Sequence, residues 1–117
     1  MEKQPSPSGE ILLYESGSKK EFVSVVFQGE TFWLTQSGMA ELFGCSTDNI
    51  SLHLKNIYAE EELTPEATTE KISVVRQEGS RQVRRTLEHY NLDAIIAVGY
   101  RVNSKKATRF RQWATKT

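Results

Sequence analysis

The side chains best suited to chemistry lie close together in the first half of the chain. Ser46, Thr47, Asp48, Ser51, Leu52 and Lys55 fall at helical spacing within QSGMAELFGCSTDNISLHLK, residues 36–55. They are short hydrogen-bonding groups, one cation and one aliphatic side chain, and no two of them form a nucleophile with its base. Such a set on one helix face is equipped to read base edges. Lysine can meet phosphate or guanine, serine and threonine can donate or accept, aspartate can accept from cytosine N4, and leucine can touch a thymine methyl. Catalysis has little to draw on, because the nearby thiol and imidazole, Cys45 and His53, sit in a pattern that buries the former. One cysteine and two histidines supply neither an internal disulfide nor a ligand set for zinc. No glycine-rich phosphate loop or carboxylate pair offers another enzyme, so no cofactor, metal or small-molecule substrate is expected.

Holding those side chains in place requires two helices and a tight turn. From Thr35 onward the apolar period changes from about 2 to about 3.6. Met39, Leu42 and Phe43 then share one face, with Thr35 as the cap and Gly44 as the stop. Ser46 caps a second helix, Asp48 stands in its first turn where the helix dipole favours an anion, and Ile50, Leu54 and Ile57 form its apolar stripe. The order of a small residue at Ala40, glycine at 44 and an aliphatic at Ile50 is that of a helix-turn-helix. Bulk at Ala40 would push the helices apart, and a Cβ at Gly44 would oppose a left-handed turn. His53 occupies a position that is often aliphatic, so Leu54 must close the core. Two short helices joined by a glycine turn also occur as plain scaffolding, which is the competing explanation.

Around this unit the chain alternates strand and helix signals. Residues 1–10 read as a flexible leader. Ile11–Tyr14, Phe22–Phe27 and Thr31–Leu34 are short β-rich runs, the last two joined by Gln28-Gly29-Glu30 as a hairpin. Ala59–Glu70 reads as an acidic surface loop. A second hairpin is expected from Ile72–Gln77 and Gln82–His89 around Glu78-Gly79-Ser80-Arg81, and it carries Arg76, Arg81, Arg84 and Arg85. Asn91 caps a helix through Val98 that stops at Gly99, and Ser104 caps a last helix containing Ala107, Phe110, Trp113 and Ala114. The fold expected is one α+β domain over residues 11–117, a winged-helix-like helix-turn-helix with an N-terminal hairpin, a basic hairpin and C-terminal helices.

The zero net charge conceals a division. Residues 1–70 hold 4 Lys/Arg against 12 Asp/Glu, a formal charge of −8, and residues 71–117 hold 11 against 3, a charge of +8. The second part suits a polyanion. With one cation among six residues, the second helix of the pair needs help with affinity. Arg76, Arg81 and Arg84 on the hairpin and Lys105 and Lys106 near the end are the phosphate contacts expected, with Arg81 at the tip in the position of a wing. A solvated strand edge is the alternative for the hairpin arginines. A solvated helix face is the alternative for Arg101, Lys105, Lys106, Arg109 and Arg111, and Phe110 and Trp113 read as core.

From about Ile11 onward the sequence resembles the N-terminal part of the RhuM family of bacterial proteins, named as virulence proteins for their genetic neighbourhood. FWLTQSGMAELFGCSTDNISLHLKNI and HYNLDAIIAVGYRVNSKKATRFRQWATK carry the resemblance. It implies further sequence beyond Thr117, in keeping with a last helix that meets no terminating residue. NSKKATRFRQWATK also resembles the end of the Bro-N domain of phage antirepressors, a DNA-binding module, with Lys105, Lys106, Arg109, Phe110 and Trp113 matching its pattern. The resemblances imply a regulator of transcription or of a mobile element. The expected partner is therefore double-stranded DNA, with a homodimer compatible with symmetric sites. The rival is a protein-interaction module that uses the basic and acidic surfaces. No apolar run is long enough for a membrane and no export signal is present, which makes the cytoplasm the expected compartment.

Overall fold

A computed structural model describes residues 10–16 and 21–117. The expected leader lies outside the described residues apart from Glu10, which opens the first strand. The described elements run β1 (Glu10–Ser16), β2 (Glu21–Gln28), β3 (Thr31–Leu34), α1 (Gln36–Phe43), α2 (Thr47–Ala59), α3 (Pro65–Thr68), β4 (Thr69–Glu78), β5 (Arg81–Asn91), α4 (Leu92–Val102) and α5 (Ser104–Lys116). The class is α+β, as the sequence implies.

Turn chemistry builds both tight hairpins. Gly29 and Glu30, at φ 61° and 65°, join β2 to β3 with the two positive φ values of a type I′ turn. Between β4 and β5, Gly79 at φ 65° precedes a Ser80 without positive φ, the pattern of type II′. The strands form one antiparallel sheet in the order β1-β2-β3-β5-β4. Since β3 has four residues, it meets β5 only through Trp33↔Asn91 and Leu34↔Tyr90. Past that point β4 and β5 continue as a two-stranded arm, paired out to Glu78↔Arg81.

Strand alternation sends the apolar side chains to two faces. Val23, Val25, Phe32, Leu34 and Tyr90 join the main core, which α1, α2, α4 and α5 complete with Met39, Leu42, Phe43, Ile50, Leu54, Ile57, Ile95, Val98 and Phe110. Val26, Trp33, Ile72 and Val74, with Leu87 beside them, make a smaller separate cluster. There the Trp33 indole N–H donates to the Gln28 carbonyl at 2.9 Å, so its polar atom is satisfied. Aromatic contacts hold α5 to the sheet. Tyr14 meets Phe110 edge-on, with ring centroids 5.0 Å apart at 80°, and Trp113 lies 5.0 Å from Phe32.

Three local expectations need correction. Gly99 does not end α4, which runs on to Val102. It is a contact residue, because a Cβ there would stand 2.6 Å from Phe43 Cζ and 2.7 Å from the Ala107 Cβ. Asn103, not Ser104, caps α5, and its Oδ1 accepts from the Lys106 N–H at 3.2 Å. The acidic stretch 59–70 contains α3 and the start of β4. Pro65 supplies the φ of a first helical position. The Thr68 hydroxyl then donates to the Thr64 carbonyl at 2.7 Å and lies 2.9 Å from the Tyr58 hydroxyl, tying α3 to α2. No helix among the described residues is long and apolar enough to cross a membrane.

Candidate nucleic-acid interface

The α1–α2 unit is assembled from side-chain caps and one left-handed residue. Thr35 Oγ1 accepts from the Gly38 N–H at 3.0 Å and starts α1. Gly44, at φ 73° and ψ 42°, ends it, with its own N–H and that of Cys45 both donating to the Ala40 carbonyl. Ser46 Oγ then accepts from the Asn49 N–H at 3.0 Å and starts α2. Three residues, 44–46, separate the helices. Ala40 is half-buried against the main core. Cys45 is half-buried too, and that burial pushes its thiol pKa up against an opposing hydrogen bond with Asn49.

This geometry turns α2 so that Ile50, Leu54 and Ile57 are buried. Thr47, Asp48, Ser51, Leu52 and Lys55 are all exposed, as is Ser46 just before them. At about 100° per residue those five helix positions span an arc of roughly 140°. Leu52, 54% exposed, is an aliphatic group held in solvent within this polar arc. The structure therefore brings together all six residues that the sequence places on this helix.

The other candidates divide between two places. Lys105 is exposed at the start of α5, and the Nζ of half-buried Lys106 comes within 3.4 Å of where a Gly44 Cβ would stand. The first turn of α5 is thus beside the α1–α2 turn, a neighbourhood that no local sequence signal gives. Arg81 and Arg84 are exposed on the arm, while Arg76 lies on β4 opposite Val83 and its side chain is outside the described residues. The arm flanks α1. Val74, Val75 and Gln77 line the same open groove of about 480 Å³ as Ser37, Gly38 and Glu41 of α1.

Ion pairs distinguish the basic residues further. Arg85 donates to both carboxylate oxygens of Glu78, at 2.8 and 3.0 Å, and Arg101 donates to Glu60 and Glu62 at 2.8 and 3.0 Å. Both guanidiniums are held more firmly protonated by these hydrogen bonds. The Arg101 contacts also answer a problem at the end of α2, where carboxylates oppose the negative end of the helix dipole. The sequence left Arg101 between a phosphate contact and a solvated face, and its partnership with Glu60 and Glu62 is neither. Among the described residues no group of three or more His, Cys, Asp or Glu is placed to hold a metal ion.

Residues 67–117 match the Virulence protein RhuM family. The RhuM match runs from the end of α3 through β4, β5, α4 and α5, so it holds Arg76, Arg81, Arg84, Lys105 and Lys106. The exposed face of α2 lies before the RhuM-matched segment. No curated protein and no solved structure matches the chain.

Proposed function

We propose that this chain is a DNA-binding domain in which α1 and α2 act as a helix-turn-helix and α2 enters the major groove of a duplex. The observation that carries this reading is the solvent face of α2. Thr47, Asp48, Ser51, Leu52 and Lys55 form one continuous arc of donors, acceptors, an aliphatic tip and a cation. The left-handed Gly44 and the three-residue connection support this reading as the tight turn that such a unit needs. The charge of the second half favours a polyanionic partner, with Lys105, Lys106, Arg81, Arg84 and Arg76 meeting phosphate and the arm acting as a wing. The likeness of residues 103–116 to Bro-N points the same way. In the cell the domain would belong to a cytoplasmic bacterial regulator of transcription or of a mobile element.

The test is fluorescence anisotropy with a random-sequence labelled duplex pool across a salt series, followed by selection of bound sequences. Binding that weakens steeply with salt and enriches one short site is expected. Lys55→Ala should then weaken binding and lower the salt slope by about 1 with site preference retained if the contact is to phosphate alone. Charge reversal at Arg81 should weaken binding, and an unchanged Kd would remove the arm from the interface. A folded chain that binds no duplex at low salt would overturn the proposal in favour of a protein-interaction module.

A further inference from the structure

α5 carries Lys105, Lys106, Arg109, Arg111 and Lys116 and no acidic residue. Lys105, Arg109, Gln112 and Lys116 recur at i, i+4, i+7 and i+11, which places them within an arc of about 60° at 100° per residue. All four are exposed, on the side opposite Ala107 and Phe110. Arg111 is off this line and bonds with Tyr100, whose hydroxyl pKa is lowered by hydrogen bonds first with Thr108 and then with Arg111.

The end of α2 and the start of α5 both carry charges that oppose the dipole. At the end of α2 the carboxylates of Glu60 and Glu62 are met by Arg101 from α4. At the start of α5, Lys105 and Lys106 stand where the dipole disfavours cations, with no acidic residue in the first turn. Neither lysine, nor Arg109 or Lys116, forms an ion pair with a described residue. The fold neutralises the end of α2 and places no acidic side chain in the first turn of α5. From Lys105 to Lys116 the stripe is about 16 Å long, at 1.5 Å per residue. Phosphates lie farther apart along the winding backbone than the roughly 3.4 Å per strand measured along the duplex axis, so that length reaches about three phosphates of one strand. Half-buried Lys106, beside that line, brings its Nζ within 3.4 Å of where a Gly44 Cβ would stand, so the stripe begins next to the α1–α2 turn.

We infer that the Lys105–Arg109–Gln112–Lys116 face of α5 is a phosphate track that follows the duplex backbone away from the α2 site and lengthens the footprint to one side. This rests on the DNA-binding reading above, and it adds Arg109, Gln112 and Lys116 to the contact surface. The test compares the unaltered chain with Lys105→Ala/Arg109→Ala/Lys116→Ala on the duplex selected by the pool experiment, reading affinity across salt and hydroxyl-radical protection. The triple variant should lower the salt slope by about 3 and shorten protection at one end by roughly three nucleotides, with the selected sequence unchanged. Lys105→Arg/Arg109→Lys/Lys116→Arg should keep both, because charge alone makes these contacts. Circular dichroism and the thermal midpoint should be unaltered in both variants. An alanine variant that keeps the original slope and footprint, while Lys55→Ala weakens binding, would overturn the track and leave the α2 reading standing. Loss of slope in the charge-conserving variant would also overturn it. A chain that binds no duplex overturns both.

Discussion

The α1–α2 unit and the β4–β5 arm both gather candidate contacts, but they do so by different geometry. On α2 the 3.6-residue period carries Thr47, Ser51 and Lys55 to one side, and Ile50, Leu54 and Ile57 hold that side toward solvent. On the arm a period of 2 sends neighbours to opposite faces. Arg84 pairs opposite Val75 and Arg85 opposite Val74, so adjacent arginines part, and Arg85 is engaged with Glu78. A cluster of like residues in sequence therefore becomes a surface patch on the helix and is divided on the strand. The α1–α2 face depends on distant packing throughout, whereas the arm adds its own turn and ladder to a base where Ile72 and Val74 pack with Val26 and Trp33.

The largest effect expected is from Gly99→Leu, because the α1–α2 unit rests on α4 and α5 where Phe43 and Ala107 close on Gly99. Overpacking there should cost about 3 kcal/mol in urea denaturation. A variant of ordinary stability would show that this junction does not support α1. Ala40→Leu should cost roughly 2 kcal/mol by forcing the helix crossing apart. Little change in the denaturation midpoint would show that Ala40 is not a close-approach position. Ser46→Ala removes the acceptor for the Asn49 N–H and should cost about 1 kcal/mol. The same variant should slow no exchange and speed that of amides in the first turn of α2, which hydrogen–deuterium exchange would register. Glu78→Gln is the smallest perturbation, since the Arg85–Glu78 pair is solvent-exposed and screened. The thermal midpoint should be unchanged, while freed Arg85 should raise the salt slope of duplex binding by up to about 1. A large stability loss would mean that the arm relies on that pair and is less autonomous than its ladder suggests.

Much of the local architecture was legible because its signals are short-range. Thr35, Gly44 and Ser46 bracket their helices through bonds to atoms within a few residues, and Gly29 and Gly79 set turns by φ alone. The caps fail as a guide where two candidates adjoin. Asn103 and Ser104 are both acceptable, and the backbone at 103 is the extended one that aims Oδ1 at the Lys106 N–H. Gly99 misled for a different reason. Glycine can end a helix by adopting positive φ or can sit inside one where a neighbour leaves no room for Cβ, and these uses look the same in one dimension.

By itself the sequence determined the α+β class, the two turns, the face that α2 turns to solvent and the charge imbalance between the halves. These follow from side-chain size, period and composition, which act over a few bonds or over the whole chain. Only the tertiary structure decided that Lys106 stands beside Gly44, that Arg101 neutralises Glu60 and Glu62, and that the arm lies along α1. It also divided the apolar residues into a large and a small cluster. Each of these joins residues tens of positions apart, and such contacts are chosen by how the core packs, which no local pattern encodes.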